Sequence, residues 1–233
     1  MGVQTEIYLR GKLNNLIFYT SGGQKLVRTM PVSVKQTSDT RTRSRNFGIA
    51  ATAGGILRNL LEPVIPFPKD RRMQTLFLGA IARWLGLSDV ASLPPQVSTA
   101  VNGFSFNPKV VFTDRCRIPF TISKDADELQ IVLPEFIPAE VFAAPSGTQQ
   151  LQLSFSLAGC GLLEGSLRNA AAKQLVLPYN QQLQPAQTLI MPALTEPGTL
   201  LMLVAAVRFI NEQGKADQRE EFLPAAVLWS AYY

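Results

Sequence analysis

Basic residues gather between Lys25 and Arg45, and their type and spacing indicate binding chemistry. Clustered guanidinium and ammonium groups bind phosphates and carboxylates, which points to an anionic partner such as nucleic acid or the acidic surface of another protein. The alternative is a solvated helix face next to a strand edge, where lysine and arginine oppose edge-to-edge association. The candidate anion-binding residues are Lys25, Arg28, Lys35, Arg41, Arg43 and Arg45.

The charge of the chain is unevenly distributed. The formal net charge is +5, and the stretch through Thr75 holds 12 Lys/Arg against 4 Asp/Glu, whereas the remainder holds 10 against 13. An anionic partner would therefore bind the N-terminal part. The acidic remainder argues against a clamp in which the whole protein surrounds nucleic acid.

Enzyme chemistry finds little support in the composition. The 233 residues include no histidine, which removes the commonest general base and the commonest transition-metal ligand. The Gly-x-Ser-x-Gly motif and the Walker phosphate loop are also missing. We therefore expect a protein that is not an enzyme, with no catalytic residue, no metal site and no cofactor.

The two cysteines and one group of carboxylates leave weaker alternatives. Cys116 and Cys160 allow three interpretations: a disulfide, a reactive thiol, or two reduced and partly buried side chains. The last interpretation is favoured for two cysteines in a chain of this length. Asp125, Asp127 and Glu128 lack the glycine and the distal glutamate of a calcium loop, so they predict a turn between strands. An enzyme that uses carboxylates or Cys160 is the least favoured class.

A β-hairpin is predicted before the basic residues. Residues 16–19 and 26–27 are apolar or aromatic, as in strands, and Gly22-Gly23 between them suits a tight turn. Pro31 ends the second strand, since proline lacks the backbone donor that strand pairing requires.

Two helices are predicted after the hairpin. The first begins near Thr40, with residues 37–39 as candidate N-caps, and ends near Leu61 before a proline-rich stretch. The second opens near Asp70 and stops at Gly86, and its apolar stripe predicts packing against the first helix and a sheet. The apolar face of the first helix is predicted to contain Phe47, Ala50, Ala51, Gly54, Leu57 and Leu61.

The opening quarter of the chain resembles a family of bacterial proteins of unknown activity. These proteins begin with a glycine-flanked hairpin, continue with a "VRS-P…KQT-AT-AR…FG" run and end in a β-rich domain. The resemblance implies this architecture and no activity, cofactor or binding residue. It rests on Gly11, the run from Asn14 to Tyr19, Val27-Arg28, Pro31, Val34-Lys35-Gln36-Thr37, Thr40-Arg41, Arg43 and Phe47-Gly48.

The C-terminal part is predicted to be a β-sandwich. Residues 88–108 are rich in Ser, Pro, Asn and Gly and predict a linker. Seven short strands follow with turn signals between them, which is typical of two packed antiparallel sheets. The similarity to Ig-like or fibronectin-like domains is by analogy only, because the Cys…Trp…Cys signature is missing. The predicted strands are 117–123, 129–133, 149–157, 173–177, 188–191, 199–211 and 224–232.

The sequence thus predicts an α+β protein: an N-terminal β-hairpin plus two helices over residues 1–95, and an antiparallel β-sandwich over residues 96–233. Without a signal peptide or an apolar span, we expect it to be cytoplasmic and not membrane-bound. The favoured function is a non-enzymatic interaction or structural protein that binds an unknown protein partner or self-associates. Nucleic-acid binding through the basic residues is the alternative.

Overall fold

A computed structural model of the chain describes residues 2–3, 9–31, 36–65, 70–86, 88–90, 93, 96–97, 101–193 and 196–233. Contacts between residues divide the chain into two compact units, Met1–Arg41 and Thr42–Tyr233. The division falls inside the first helix. The predicted boundary between residues 95 and 96 stays a prediction.

The first unit contains the predicted hairpin as part of a larger sheet. Its strands are β1 (Gly2–Val3), β2 (Gly11–Leu13), β3 (Leu16–Ser21) and β4 (Gln24–Thr29). All pairings are antiparallel, in the order β1-β4-β3-β2. Gly22 and Gly23 both have positive φ, 56° and 78°, and form the tight turn between β3 and β4. The predicted hairpin is confirmed.

Two long helices follow, α1 (Ser38–Leu61) and α2 (Arg71–Leu85). Thr37 caps α1, since its Oγ1 accepts a hydrogen bond from the Thr40 amide at 3.2 Å. The Asp70 carboxylate accepts hydrogen bonds from the amides of Arg72 and Met73, at 2.8 and 3.2 Å, and so caps α2. Gly86, with φ of 54°, follows the last residue of α2. Both helices therefore begin and end within two residues of the predicted positions.

The buried face of α1 differs from the predicted face at two residues. Ala50, Gly54, Leu57 and Leu61 are buried as predicted, but Phe47 is 57% exposed and Ala51 is only half-buried. Asn46, the neighbour of Phe47, is buried instead, at 2% exposure.

The remaining elements confirm all seven predicted strands, with shifted ends. The helical turns are α3 (Phe112–Arg115), α4 (Pro138–Val141) and a 3₁₀ helix (Glu220–Phe222). The strands are β5 (Gln96–Val97), β6 (Thr121–Asp125), β7 (Glu128–Leu133), β8 (Thr148–Gly161), β9 (Ser166–Pro178), β10 (Gln187–Pro192), β11 (Thr199–Asn211) and β12 (Ala225–Tyr232).

These strands form two antiparallel sheets, of order β5-β12-β11-β8-β9 and β10-β7-β6. Strand β11 lies in the middle of the five-stranded sheet, and its successive side chains point to opposite faces. Leu201 and Leu203 pack with Leu129 and Ile131 of the three-stranded sheet. The antiparallel sandwich is thereby confirmed.

The second unit has a third layer, because both helices cover the other face of the five-stranded sheet. Met202 and Val204 of β11 share one core with Leu57 of α1 and with Phe77 and Ile81 of α2. The predicted packing of α2 against α1 and a sheet is thereby confirmed. Layer by layer, the unit consists of helices, five strands and three strands.

Part of the predicted linker belongs to this core. Val101 and Phe106 are 0% and 1% exposed, and the ring of Phe106 lies 5.3 Å from that of Phe77. Phe104 completes the cluster at 5.2 Å from both rings. The composition of the predicted linker gave no sign that its two aromatic residues, Phe104 and Phe106, pack with Phe77 of α2 and bury apolar surface between the helices and the sheet.

The aromatic residues of β12 and after it pack against the cores of the second unit. Tyr232 is 3% exposed, its ring lies 5.6 Å from that of Trp84, and its hydroxyl donates to the Val90 carbonyl at 3.0 Å. Trp229 and Tyr233 are partly buried against the core between the two sheets.

Among the helices of the described ranges, none combines the length and the apolar character that a membrane crossing requires.

Gly159 of β8 is tightly packed between β9 and β11. The register between β8 and β9 shifts between Gly159 and Cys160, as at a β-bulge. A Cβ at Gly159 would lie 2.7 Å from Leu201 Cδ2, 2.9 Å from Asn169 Cβ and 3.1 Å from the Asn169 backbone nitrogen. Only glycine fits without movement of the β9 backbone.

We predict that Gly159→Ala lowers the free energy of unfolding by about 1–3 kcal/mol through overpacking. Urea denaturation provides the measurement. Gly48→Ala on α1 is the control, because nothing lies within 4 Å of its Cβ position. There the same change should raise stability by up to about 1 kcal/mol, through helix propensity alone. Equal effects of the two substitutions would contradict the described packing at Gly159.

Candidate functional site

The structure distributes the candidate anion-binding residues over both units. Lys25 and Arg28 lie on β4, Arg41, Arg43 and Arg45 lie on α1, and Lys35 falls outside the described residues. The unit boundary separates Arg41 from Arg43. The six residues therefore do not constitute one described surface, and each unit has to be considered by itself.

The first unit has two chemically different sheet faces. Residues that face each other across antiparallel strands share a face, and Lys12, Ile17 and Arg28 are such neighbours. The Arg28 guanidinium on this face lies 5.7 Å from the centre of the Tyr19 ring, a cation–π distance. This face combines positive charge with one aromatic ring.

The opposite face carries a group of apolar side chains, with Thr20 and Lys25 at its end next to the β3–β4 turn. The register places Phe18 next to Val27 and Leu13 next to Leu16, all on that face. Leu13 is 56% exposed, and the other three are only half-buried. These four residues form what we call the apolar sheet face.

The second unit has a basic groove beside the end of α2. It has a volume of about 410 Å³ and is lined by Arg43, Phe47, Ala82, Arg83 and Gly86, which defines what we call the basic groove. Arg43 and Phe47 are one turn apart on α1 and so point to the same side of that helix. The groove has no acidic residue in this lining.

The two arginines of the basic groove differ from their neighbour Arg45. Arg45 forms an ion pair with Asp89 at 3.5 Å. In the part of the chain that the structure describes, the exposed guanidinium groups of Arg43 and Arg83 have neither an ion pair nor a hydrogen bond. Both guanidinium groups are therefore available to bind an anion that enters the groove.

Asn46 fixes the geometry of the basic groove. Its buried side-chain amide donates hydrogen bonds to the carbonyls of Gly86 and Ser88, at 3.1 and 3.0 Å. These carbonyls follow α2, where a helix leaves acceptors without intrahelical partners. The bonds tie the end of α2 to α1 and so place Arg83 and Gly86 beside Arg43 and Phe47.

Both cysteines are free thiols in the interior. Cys116 is 2% exposed and Cys160 is 0% exposed. Burial raises the pKa of the Cys116 thiol to about 12 and that of the Cys160 thiol to about 11. A nucleophilic cysteine needs access and a thiolate, and neither side chain has them.

A smaller pocket of about 200 Å³ contains two carboxylates, Asp70 and Glu220, above the Phe106 ring. Both are engaged: Asp70 caps α2, and Glu220 pairs with Lys109 and raises the pKa of that amine. No group of three potential metal-ligating side chains occurs among the described residues. Asp125 and Glu128 flank the β6–β7 turn, as predicted.

Comparison with known proteins adds no relative: the chain matches no protein-family model, and no curated protein is detectably similar to it. The resemblance of its opening quarter to a bacterial family stays a prediction.

Three residues of the basic groove region were not predicted as functional. Arg83 lies in the last turn of α2, and the sequence predicted the helix there but no role for this side chain. Phe47 was predicted to lie on the buried face of α1. Asn46 carried a usable signal: a polar side chain next to the apolar stripe of α1 has to find hydrogen-bond partners when buried.

We predict that Asn46→Asp destabilises the protein more at pH 7 than at pH 4. A carboxylate would face two carbonyl oxygens, so the pKa of Asp at position 46 would be raised in the folded state. The protonated form can donate one of the lost hydrogen bonds. The deficit relative to the original chain should therefore be about 1–3 kcal/mol at pH 7 and should shrink as the pH falls through the raised pKa.

Asn59→Asp is the matched control, because Asn59 is exposed on the same helix. Its effect should be small and nearly independent of pH. Urea unfolding of all three chains at both pH values provides the measurement, and a pH-independent deficit at position 46 would contradict the hydrogen-bonding role.

Proposed function

We propose that the protein is a non-enzymatic interaction protein that associates with a second copy of itself through the apolar sheet face. The observation that carries this proposal is the exposure of Leu13 beside half-buried Leu16, Phe18 and Val27 on three adjacent strands. Contiguous apolar side chains of this kind are typical of surfaces that bind another protein. Burial of these side chains against a partner would favour association by about 25 cal/mol for each Å² of apolar surface removed from water.

The distribution of charge favours a second copy as the occupant. In a two-fold interface the same patch appears on both subunits, so a charged patch would repel itself. The four residues of the apolar sheet face are uncharged, and the one cation that strands β2, β3 and β4 place on that side, Lys25, lies at the end next to the β3–β4 turn, opposite Thr20. Lys12 and Arg28 lie on the opposite face. Face-to-face association through the four apolar residues would leave Lys12 and Arg28 in solvent.

The absence of catalysis is part of the same proposal. The sequence has no histidine. The two thiols are buried with raised pKa values, and the carboxylates of the smaller pocket are engaged as a helix cap and an ion pair. These observations support binding over bond-making chemistry.

We predict that the chain sediments at about twice the mass of its 25.5 kDa monomer at high micromolar concentration. Leu13→Lys should shift the equilibrium to the monomer, with the dissociation constant raised tenfold or more, because the substitution would bury an unpaired charge. Analytical ultracentrifugation over a concentration series provides the measurement.

Leu183→Lys is the matched control. Leu183 is 58% exposed in the second unit, so the same change of charge at an equally exposed leucine should leave the mass unchanged. A wild-type chain that is monomeric throughout the series would overturn the proposal. So would equal dissociation by both substitutions.

Nucleic-acid binding through the basic residues is a second proposal, favoured by one specific observation. Arg41 is exposed on α1, and its guanidinium has no acidic partner among the residues that the structure describes. Such groups can neutralise backbone phosphates without first breaking an ion pair.

For this proposal we predict salt-dependent binding to a short DNA duplex. Replacement of Arg41 by Ala should reduce the slope of log affinity against log salt by about 0.9, the value for one phosphate contact. Arg72→Ala, an exposed arginine on α2, is the control and should leave the slope unchanged. Fluorescence anisotropy provides the measurement, and absence of duplex binding at low salt would remove the proposal.

A further inference from the structure

The basic groove combines two features that a solvated surface has no reason to bring together. Two guanidinium groups from different helices line it without acidic partners in the described part of the chain. Phe47 lines the same groove and is 57% exposed. Full burial of such a side chain is worth about 1.5–3 kcal/mol, so its exposure beside paired positive charge needs an explanation.

Phe47 is exceptional among the phenylalanines near the two helices. Phe77 and Phe106 are each 1% exposed, and Phe104 is packed against both of them. Phe47 has no such ring contact within the described ranges. One side of its ring is therefore available as a flat, apolar platform.

The charges are suited to phosphate. A guanidinium group offers a planar fork of N–H donors that matches two oxygens of a phosphate. Arg83 lies in the last turn of α2, where a positive side chain complements the helix dipole and is held near the carbonyl end. Arg43 lines the same groove from α1, so both guanidinium groups border the space that a phosphate would enter.

The groove is formed before any ligand arrives. The Asn46 hydrogen bonds to Gly86 and Ser88 hold the two helices in register, and Gly86 contributes no side chain that would narrow the groove. A volume of about 410 Å³ lies within the range of small-molecule sites, roughly 300–1,000 Å³. Because the site is preformed, little free energy is lost in ordering its side chains when a ligand binds.

We propose that the basic groove binds a nucleotide unit, with the base stacked on Phe47 and the phosphate held by Arg43 and Arg83. A free nucleotide and one unit of a single strand share this chemistry. The site goes beyond the self-association proposed above. Only its single-strand form rests on the second proposal, nucleic-acid binding, and the free-nucleotide form is independent of both.

The test measures binding of two probes to the full chain at about 50 mM salt, where electrostatic contacts are strong. One probe is fluorescein-labelled oligothymidylate, followed by anisotropy, and the other is AMP, followed by calorimetry. Binding of AMP assigns the site to free nucleotides, whereas binding of the oligonucleotide alone assigns it to single strands. Binding of neither probe overturns the proposal.

Variants of exposed side chains locate the site without disturbing the core. Phe47→Leu keeps an apolar side chain and removes the ring, and it should weaken binding about five- to a hundredfold, the usual worth of one stacked base. Arg83→Gln should weaken oligonucleotide binding and reduce the salt slope by about 0.7, the single-strand value for one phosphate. Arg72→Gln, on the same helix but outside the groove, should leave both quantities unchanged.

Three results would contradict the assignment. Equal weakening by Arg72→Gln and Arg83→Gln would mean that net charge alone drives binding. If Phe47→Leu binds the probes with unchanged affinity, the base is not stacked on Phe47. Competition by inorganic phosphate as strong as that by AMP would contradict base stacking as well. Because the duplex experiment uses Arg41 in the first unit and these variants lie in the second, failure of one proposal is distinguishable from failure of the other.

Discussion

Burial of one sheet on both faces is the constraint on which the second unit depends. Nine consecutive residues of β11, from Thr199 through Val207, are buried, and all but the first are apolar. A strand of this kind is stable only when one layer covers each face, since every second side chain points to the opposite side. The helices supply one layer and the three-stranded sheet supplies the other. The positions of α1 and α2, and therefore of the basic groove, follow from this requirement.

The same requirement explains why the basic groove lies at the outer surface of the two helices that cover the sheet. Each helix covers the sheet with one stripe of side chains and leaves its outer surface to solvent. On α1 the core stripe begins at Ala50, so the turn before it, with Arg43 and Phe47, projects beside the end of α2. There Asn46 satisfies the carbonyls that helix termination exposes. The hydrogen bonds that satisfy the carbonyls at the end of α2 thus also fix the shape of the basic groove, where we propose that a ligand binds.

Much of the architecture could be predicted from the sequence because its signals are local. The Gly22-Gly23 turn, the cap at Asp70, the stop at Gly86 and the apolar run of β11 each identify an element from a few residues. The three-layer arrangement could not be predicted, because which face of a sheet a helix covers depends on contacts between residues far apart in sequence. The short segment with Phe104 and Phe106 had the composition of a linker and became part of the core for the same reason.

The candidate site was harder to predict than the fold. Arg43 was included for its charge, but its partners Phe47 and Arg83 are brought to it only by the packing of α1 on α2, about 40 residues apart in the chain, as with Asn46 and Gly86. Composition alone could not distinguish Arg43 from Arg45, whose charge is balanced by Asp89. The 3.6-residue periodicity of apolar residues predicted a core position for Phe47, because this pattern does not show at which residue of a helix the packing against the sheet begins. The contacts, not the residue types, separate a balanced charge from an available one.

The central position of β11 also bears on how the chain reaches its native state. Its neighbours β8 and β12 come from opposite sides in sequence, and β8 ends almost 40 residues before β11 begins. Pairings of such long range form slowly, since the intervening chain must first lose its freedom. Until they form, an uncharged stretch of leucine, methionine, valine and alanine is open to other nascent chains. Exposed segments of this kind are prone to misassembly, so rapid pairing of β11 with β12 is a condition for a high yield of folded protein.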